Sequence, residues 1–301
     1  MKNIYCVIVT YNGMQWMERC LSSLVQSTHP IIPVIIDNGS TDGTREYIET
    51  HYPQIPLMAQ KTNLGFGQAN NVGIRYSLSN GADYVLLLNQ DAWIEKDMID
   101  CLLSFADDNS LISPLHMNGN GDKIDRNFCH NALMRSPEME QFLHDTAKGK
   151  TGRYYTDEIN AACWLLPRAV LESVGGFNPL FFHYSEDSDY LQRLHYHQKG
   201  IFFVPSARVY HDREGVPTKK PSKQSIYQNL ILRAIDIRYS RFSCLLHRWM
   251  YALGVIHTAC ADHRPADMLY YFQALCRYHT MHLDIIANRK IIKEKGAHWI
   301  D

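Results

Sequence analysis

The sequence predicts an α/β fold: a mostly parallel, Rossmann-like sheet flanked by helices, with a helical region appended at the C-terminal end. Three observations carry this. Apolar runs at Ile4–Thr10, 31–36 and 84–88 lack polar alternation, as strands buried on both faces require. Stretches of helical spacing separate them, which implies right-handed crossovers and parallel pairing. Each run ends in polar residues: Tyr11-Asn12-Gly13, Asp37-Asn38-Gly39-Ser40 and Asn89-Gln90-Asp91. Open sheets of this kind bind ligands beyond the carboxyl ends of their strands.

Composition sets the bounds. The 301 residues are 46% hydrophobic and 20% charged, enough for one large domain or a domain with an appendage, and too apolar for general disorder. The formal charge of −1 excludes a chain that is basic throughout, so no nucleic-acid partner is expected. Eight cysteines are scattered without a C-x-x-C pair, which argues against a zinc ribbon or disulfide framework. Reduced thiols and a cytoplasmic setting are expected. Met1 leads directly into a strand, so no signal peptide is expected, and no apolar run approaches the length of a membrane span.

In chain order, 14–27 has helical spacing after the first strand, and 44–50 follows the second, with Thr41 or Asp42 as its cap. Residues 57–59 read as a short third strand. The stretch Asn63-Leu64-Gly65-Phe66-Gly67-Gln68-Ala69-Asn70-Asn71 opens a helix running through Ser79. A helix N-terminus with nearby glycines can face an anion, although a glycine turn packing a helix on a sheet explains the pattern equally well. Asp91 either holds a divalent cation or caps a helix beginning near Glu95. Residues 96–107 read as a helix and 111–114 as a short strand. Residues 116–157 form a polar, aperiodic region, of the kind that is usually functional or mobile. A strand at 161–167 and a helix at Arg168–Val174 precede Gly175-Gly176.

The aromatic-rich stretch 177–185 then delivers Glu186, Asp187 and Asp189 at the start of a helix. Acids in a first turn suit the macrodipole, so Asp189 has a ready structural explanation. Glu186 and Asp187 lie beside apolar rings, where a base can be tuned. A strand at 200–205 and the segment Arg208-Val209-Tyr210-His211-Asp212 follow. Between 213 and 248, eight Lys or Arg stand against Glu214 and Asp236, a local balance of +6. With apolar residues at helical spacing, this region suits an anionic membrane surface, or else helices that pack on the core with solvated arginines.

The motifs in this order (Val7 to Asn12, Ile36 to Thr44, Asn63 to Gly73, Leu87 to Asp91, Gly175 to Asp189) resemble the family 2 glycosyltransferases, which have the GT-A fold. The resemblance covers about residues 4–212 and leaves 213–301 as a separate basic, amphipathic helical region. It implies an inverting, metal-dependent enzyme that moves one sugar from a nucleotide-diphospho-sugar to a glycan or lipid-linked glycan acceptor, in cell-surface polysaccharide synthesis. It implies Mg²⁺ or Mn²⁺ as cofactor and a cytoplasmic, peripheral membrane location. By position, Thr10, Tyr11 and Asp37 match the nucleobase pocket. Asn63, Gly65 and Asn70 match the ribose–diphosphate loop. Asp91 and His211 match metal ligands, and Asp187 the catalytic base, with Glu186 orienting the acceptor. Trp164 matches a wall of the sugar pocket.

Two departures matter. Asn89 stands where the family usually has the first acid of its D-x-D, and can bond a ribose hydroxyl without adding charge. Asn70 stands where an arginine often faces phosphate. No Q-x-x-R-W pattern occurs, so single-sugar transfer is expected. The alternatives are a nucleotidyltransferase, for which the usual glycine-rich N-terminal loop is absent, and a catalytically weak or inactive sugar-nucleotide-binding protein disabled at Asn89.

Overall fold

The computed structural model describes residues 1–212, 223–261 and 265–301. Its strands are β1 (Ile4–Thr10), β2 (Ile31–Asp37), β3 (Leu57–Ala59), β4 (Tyr84–Asn89), β5 (Ala92–Ile94), β6 (Ser110–Asn118), β7 (Tyr154–Tyr155), β8 (Cys163–Pro167) and β9 (Gly200–His211). Among the described residues they form one nine-stranded sheet in the order β3-β2-β1-β4-β8-β6-β9-β5, with β7 added on β9. β1 is parallel to β2 and β4, β2 to β3, and β6 to β9. β8 runs antiparallel between β4 and β6. β5 and β7 run antiparallel to β9. The carboxyl ends of β1, β2, β4, β6 and β9 therefore share one edge.

The helices are α1 (Met14–Val25), α2 (Thr44–His51), α3 (Phe66–Ser79), α4 (Met98–Leu103), α5 (Arg126–Phe128), α6 (Met139–Ala147), α7 (Arg168–Val174) and α8 (Glu186–Tyr196). They are followed by α9 (Lys223–Ile235), α10 (Arg241–Ala261), α11 (Pro265–Thr280) and α12 (His282–Ile291). Strand periodicity divides the core in two. Ile4, Cys6 and Ile8 of β1 join Met17, Leu21, Leu86 and Leu88 on one face. Val7 joins Ile74, Val85, Leu87, Trp164 and Phe177 on the other. Residues two apart share a face because the pleat alternates side chains.

The structure departs from the sequence reading in several places. β6 is nine residues long rather than four, and β9 is continuous through Pro205, with a register shift opposite Pro114/Leu115. Beside β9 the proline's missing N–H is accommodated where the ladder is already broken. The region 116–157 is largely ordered: α5 runs into a π-helical stretch (Cys129–Leu133), then α6 and β7. α4 begins at Met98 with Asp97 as its N-cap, so Asp91 caps no helix. The N-cap of α2 is Gly43 in the left-handed region, and Asp42 accepts the Thr44 amide at 3.1 Å.

The C-terminal region is built into the core. Phe181 packs with Ile226, Leu230, Ile231 and Ile235 of α9 in a third apolar cluster. Ile300 is buried in the main core, Gly176 N donates to His298 O at 2.9 Å, and Arg75 donates to Trp299 O and Asp301 O. The expected boundary after residue 212 coincides with residues 213–222, which lie outside the described residues, as do the basic residues counted there.

Candidate active site

The shared carboxyl edge carries three groups of side chains. In the first, β1–β2 register pairs Thr10 with Asp37. Thr10 Oγ1 donates to Asp37 Oδ1 at 3.2 Å, and Ser40 N donates to the same carboxylate. Asp37 is thus buried but hydrogen-bonded, as a charge at a strand end must be. Beyond Thr10 the chain turns outward, and Tyr11 is 47% exposed, leaving a ring face free to stack. Gln90 fixes this turn: Tyr11 N donates to Gln90 Oε1 at 2.9 Å, and Gln90 Nε2 to Tyr11 O at 3.3 Å. Asn12, at φ 49°, accepts the Thr41 amide through Oδ1.

The second group is the loop entering α3. Asn38 Nδ2 donates to Asn63 Oδ1 at 2.9 Å and to Gly65 O at 3.3 Å, while its Oδ1 accepts the Leu64 amide. Asn63 Oδ1 also accepts the Gly65 amide. Asn63 therefore shapes the loop through its own side chain, and Gly65 adopts φ 80°, a conformation that favours glycine. Asn70 differs from expectation. It is buried on α3 and its amide bonds back to Phe66 O at 3.0 Å, because its place one turn into the helix aims it inward.

The third group lies across β4 and β9. His211 pairs with Ala92 and Asn118 in register, which sets its imidazole beside Asp91. His211 Nε2 is 3.2 Å from Asp91 Oδ1 and 3.4 Å from Asn89 Nδ2. Asp125, which caps α5 by accepting the Phe128 amide, places Oδ2 3.9 Å from His211 Nδ1. Asn89 Oδ1 is buried without a hydrogen-bond partner among the described residues, a costly state that an incoming polar group would relieve.

The fit to a divalent cation follows from this donor set. A carboxylate suits Mg²⁺ or Mn²⁺, and the imidazole beside it is a ligand that Mn²⁺ takes more readily than Mg²⁺. Among the described residues no cluster of three His, Cys, Asp or Glu could hold a metal. The residues that could hold such a cation are Asp91 and His211.

The loop bearing Glu186 and Asp187 reaches this edge by packing on the α3 entrance. Phe66 N donates to Phe182 O at 3.2 Å. A Cβ at Gly65 would fall 1.9 Å from Phe182 O, and one at Gly67 would lie 2.8 Å from Phe177 Cβ and 3.6 Å from Glu186 Cβ. Asn71 grips Phe177 at both ends, accepting its N–H and donating to its carbonyl at 2.7 Å each. Tyr184 and Ser185, at φ 70° and 69°, bend the chain into α8.

Glu186 is 6% exposed, with Oε2 unpartnered. Burial, reinforced by the charge of Asp187, pushes its carboxyl up to about 8. Asp187 is half-buried and accepts the Ser188 amide at 2.8 Å. Asp189 is fully committed elsewhere: it meets Arg193 at 2.9 Å, and Arg193 also donates to Val174 O and Gly176 O. Burial pushes the Asp189 carboxyl up, and Arg193 opposes that shift. The structural explanation of Asp189 holds.

Trp164 does not line the site. β8 is flanked on both sides, so its side chain enters the core, stacked on Phe177 at 6.2 Å, with no surface exposed. Sequence reasoning passed over Gln90, Asn38 as a loop brace, Asn71 as a clamp and Asp125. Asn38 and Asn71 lay inside the quoted motifs. Asp125 had no local signal.

Three comparisons with known proteins bear on the chain. Residues 5–175 match the model of glycosyl transferase family 2. The N-acetylglucosaminyl-diphospho-decaprenol L-rhamnosyltransferase of Mycobacterium tuberculosis is 28% identical over 241 residues, covering 72% of this chain and 78% of that protein. The dTDP-rhamnosyl transferase RfbF of Shigella flexneri is 26% identical over 218 residues, covering 69% of each. Among solved structures, S. aureus TarS 1-349 in complex with UDP-GlcNAc aligns at TM-score 0.61 and 15% identity, covering 97% of this chain and 90% of that one, a likeness of fold.

Proposed function

The chain belongs to glycosyl transferase family 2, and from that membership we propose that it makes a single inverting transfer of a deoxyhexose, L-rhamnose in the first instance, to a lipid-linked glycan in cell-surface polysaccharide synthesis. It is a glycosyltransferase of the GT-A fold that uses a nucleotide-sugar donor. The choice of sugar and acceptor is supported by relatives named for rhamnosyl transfer, one of them to a decaprenol-linked substrate. Peripheral attachment at the cytoplasmic membrane face accompanies that acceptor. No helix among the described residues is long and apolar enough to cross a membrane.

One observation carries the roles. The Asp91–His211 pair lies at the edge where Thr10 and Asp37 end their strands, and the Glu186–Asp187 loop is tied through the Gly65–Phe182 contact to the α3 entrance, which Asn38 binds beside Asp37. Tyr11 stacks on the base and Asp37 accepts from a base N–H. The loop from Asn63 lies against ribose and diphosphate. Asp91 and His211 would hold a divalent cation, which when bound would supply Lewis-acid stabilisation of the leaving diphosphate. Glu186, its carboxyl pushed up to about 8 by burial and by the charge of Asp187, holds a proton near neutral pH, and the role of base falls to Asp187. The acceptor O–H proton passes to Asp187 as its oxygen bonds the anomeric carbon, and the carbon–phosphate oxygen bond breaks on the opposite face. No covalent sugar–enzyme intermediate forms.

The test is a panel of dTDP-, UDP- and GDP-sugars with Mn²⁺, read by thermal shift and by donor hydrolysis. dTDP-rhamnose is expected to stabilise the protein most. Asp187→Asn should retain donor affinity and lose transfer by roughly two to four orders of magnitude, while Asp91→Ala should lose metal-dependent donor binding in calorimetry. A chain that releases no nucleotide diphosphate from any donor would be the inactive sugar-nucleotide-binding protein instead.

A further inference from the structure

α10 presents an outward face that nothing among the described residues covers. Phe242, Leu245, Leu246, Trp249, Met250, Leu253 and Ile256 are all exposed, Phe242 by 77% and Trp249 by 63%. At 3.6 residues per turn they fall within an arc of about 140°, with the buried Cys244 opposite it and the buried Ala252 and Ala259 along one flank. α11 is packed alongside, through Arg248 Nη1 donating to Tyr278 OH at 2.7 Å and the Tyr251–Tyr271 ring contact. It adds exposed Met268, Leu269 and Phe272. Folded water-soluble surfaces rarely leave that much contiguous apolar area without a partner.

Charge selects the partner. α10 contains no Asp or Glu, and the single acid of α11, Asp267, is buried. Arg241 is exposed at the start of α10, and the stretch 213–248 carries a balance of +6 in a chain whose total is −1. By sequence, 213–222 and 262–264 contain one aliphatic side chain besides proline, Val216, and the acids Glu214 and Asp262. A second copy meeting this face would find no carboxylate on α10, and only the buried Asp267 on α11, to answer the exposed Arg241. An anionic lipid surface satisfies both the apolar arc and the missing carboxylates, and a tryptophan with phenylalanines on the arc suits the headgroup boundary.

We propose that the outward arc of α10, supported by α11, seats the enzyme on an anionic membrane surface. This deepens the reading of a lipid-linked acceptor, because it gives the enzyme a means of residing where such an acceptor lies. It needs no acceptor to be tested. The full chain is sedimented with vesicles of phosphatidylcholine, with and without phosphatidylglycerol, beside the double variant Trp249→Glu, Leu253→Glu. The wild type is expected to bind the anionic vesicles, more weakly at high salt. The variant should lose at least about tenfold in vesicle affinity, with its melting temperature and its donor hydrolysis in solution unchanged. Equal sedimentation of the two proteins, or none of the wild type, overturns the proposal. So does a concentration-dependent dimer in analytical ultracentrifugation that the variant abolishes, since the face would then be a contact between copies. Failure of the acceptor reading shows separately, as vesicle binding without transfer to any polyprenyl-linked glycan.

Discussion

Glu186 makes a measurable statement about pH. Its carboxyl is raised from 4.5 to about 8 by burial first and by the charge of Asp187 second. Between those values the folded chain keeps a proton that the unfolded chain has released. Stability is therefore greatest below the ordinary value and falls as pH rises toward 8. Glu186→Gln removes the ionisation. It should match wild type in melting temperature near pH 4 and exceed it near pH 9 by at least a few degrees, since about 1 kcal/mol moves a domain of this size by roughly 2–4 °C. Parallel melting curves across pH would show that Glu186 ionises as freely in the fold as out of it. At this scale the sequence was informative wherever a chemical group follows directly on a buried run: Thr10, Asp37, Asp91 and His211 all sit at strand ends. It was uninformative for Asp125 and Gln90, whose partners His211 and Tyr11 are remote in sequence, and misleading for Trp164, because an aromatic strand residue gives no local sign of whether it lines a pocket or fills the core.

Between elements, the decisive contact is the α3 entrance against the base-bearing loop. Gly65 combines φ 80° with a phantom Cβ 1.9 Å from a backbone oxygen, so alanine there meets both backbone strain and a clash that no rotamer relieves. Gly65→Ala should lower stability by about 2 kcal/mol or more. It should also depress kcat and raise the donor KM together, because Gly65 belongs to the loop set against ribose and diphosphate and the loop packed on it carries Asp187. Steady-state kinetics beside a melting curve read both effects, and a variant with normal kcat would remove this contact from the catalytic account. Long buried strands and the α1, α3 and α7 helices were legible because their periodicity is strong. β5 and β7 span three and two residues, too few to show a period, and the antiparallel direction of β8 is a tertiary property that an apolar run does not encode.

The whole molecule joins its last residues to the loop that carries Glu186 and Asp187, and its C-terminal helices fall into two groups. α10 and α11 hold the exposed arc, whereas α9, α12 and the final residues stabilise the loop between Gly175 and Glu186. Phe181 is buried against α9, Asn178 and Asn288 exchange hydrogen bonds at 2.9 Å, and Gly176 N reaches His298 O. Sequence reasoning offered membrane docking or core packing as alternatives for this region; α9 and α12 pack on the core, and α10 and α11 leave the exposed arc for which docking is proposed. Periodicity located the helices but not their partners, since an amphipathic stripe facing lipid and one facing a sheet read alike. Removing residues 297–301 should therefore act on the enzyme core and spare the arc. It deletes the buried Ile300, the His298 carbonyl that holds Gly176, and the carbonyls that accept from Arg75. Burial of one isoleucine alone is worth about 2–5 kcal/mol against truncation. The truncated chain should melt several degrees lower and lose kcat while its vesicle affinity stays at the wild-type level. Truncation that spared melting temperature and turnover would detach the tail from the catalytic loop and leave the Arg193 donations to Val174 O and Gly176 O as the support on which that loop depends.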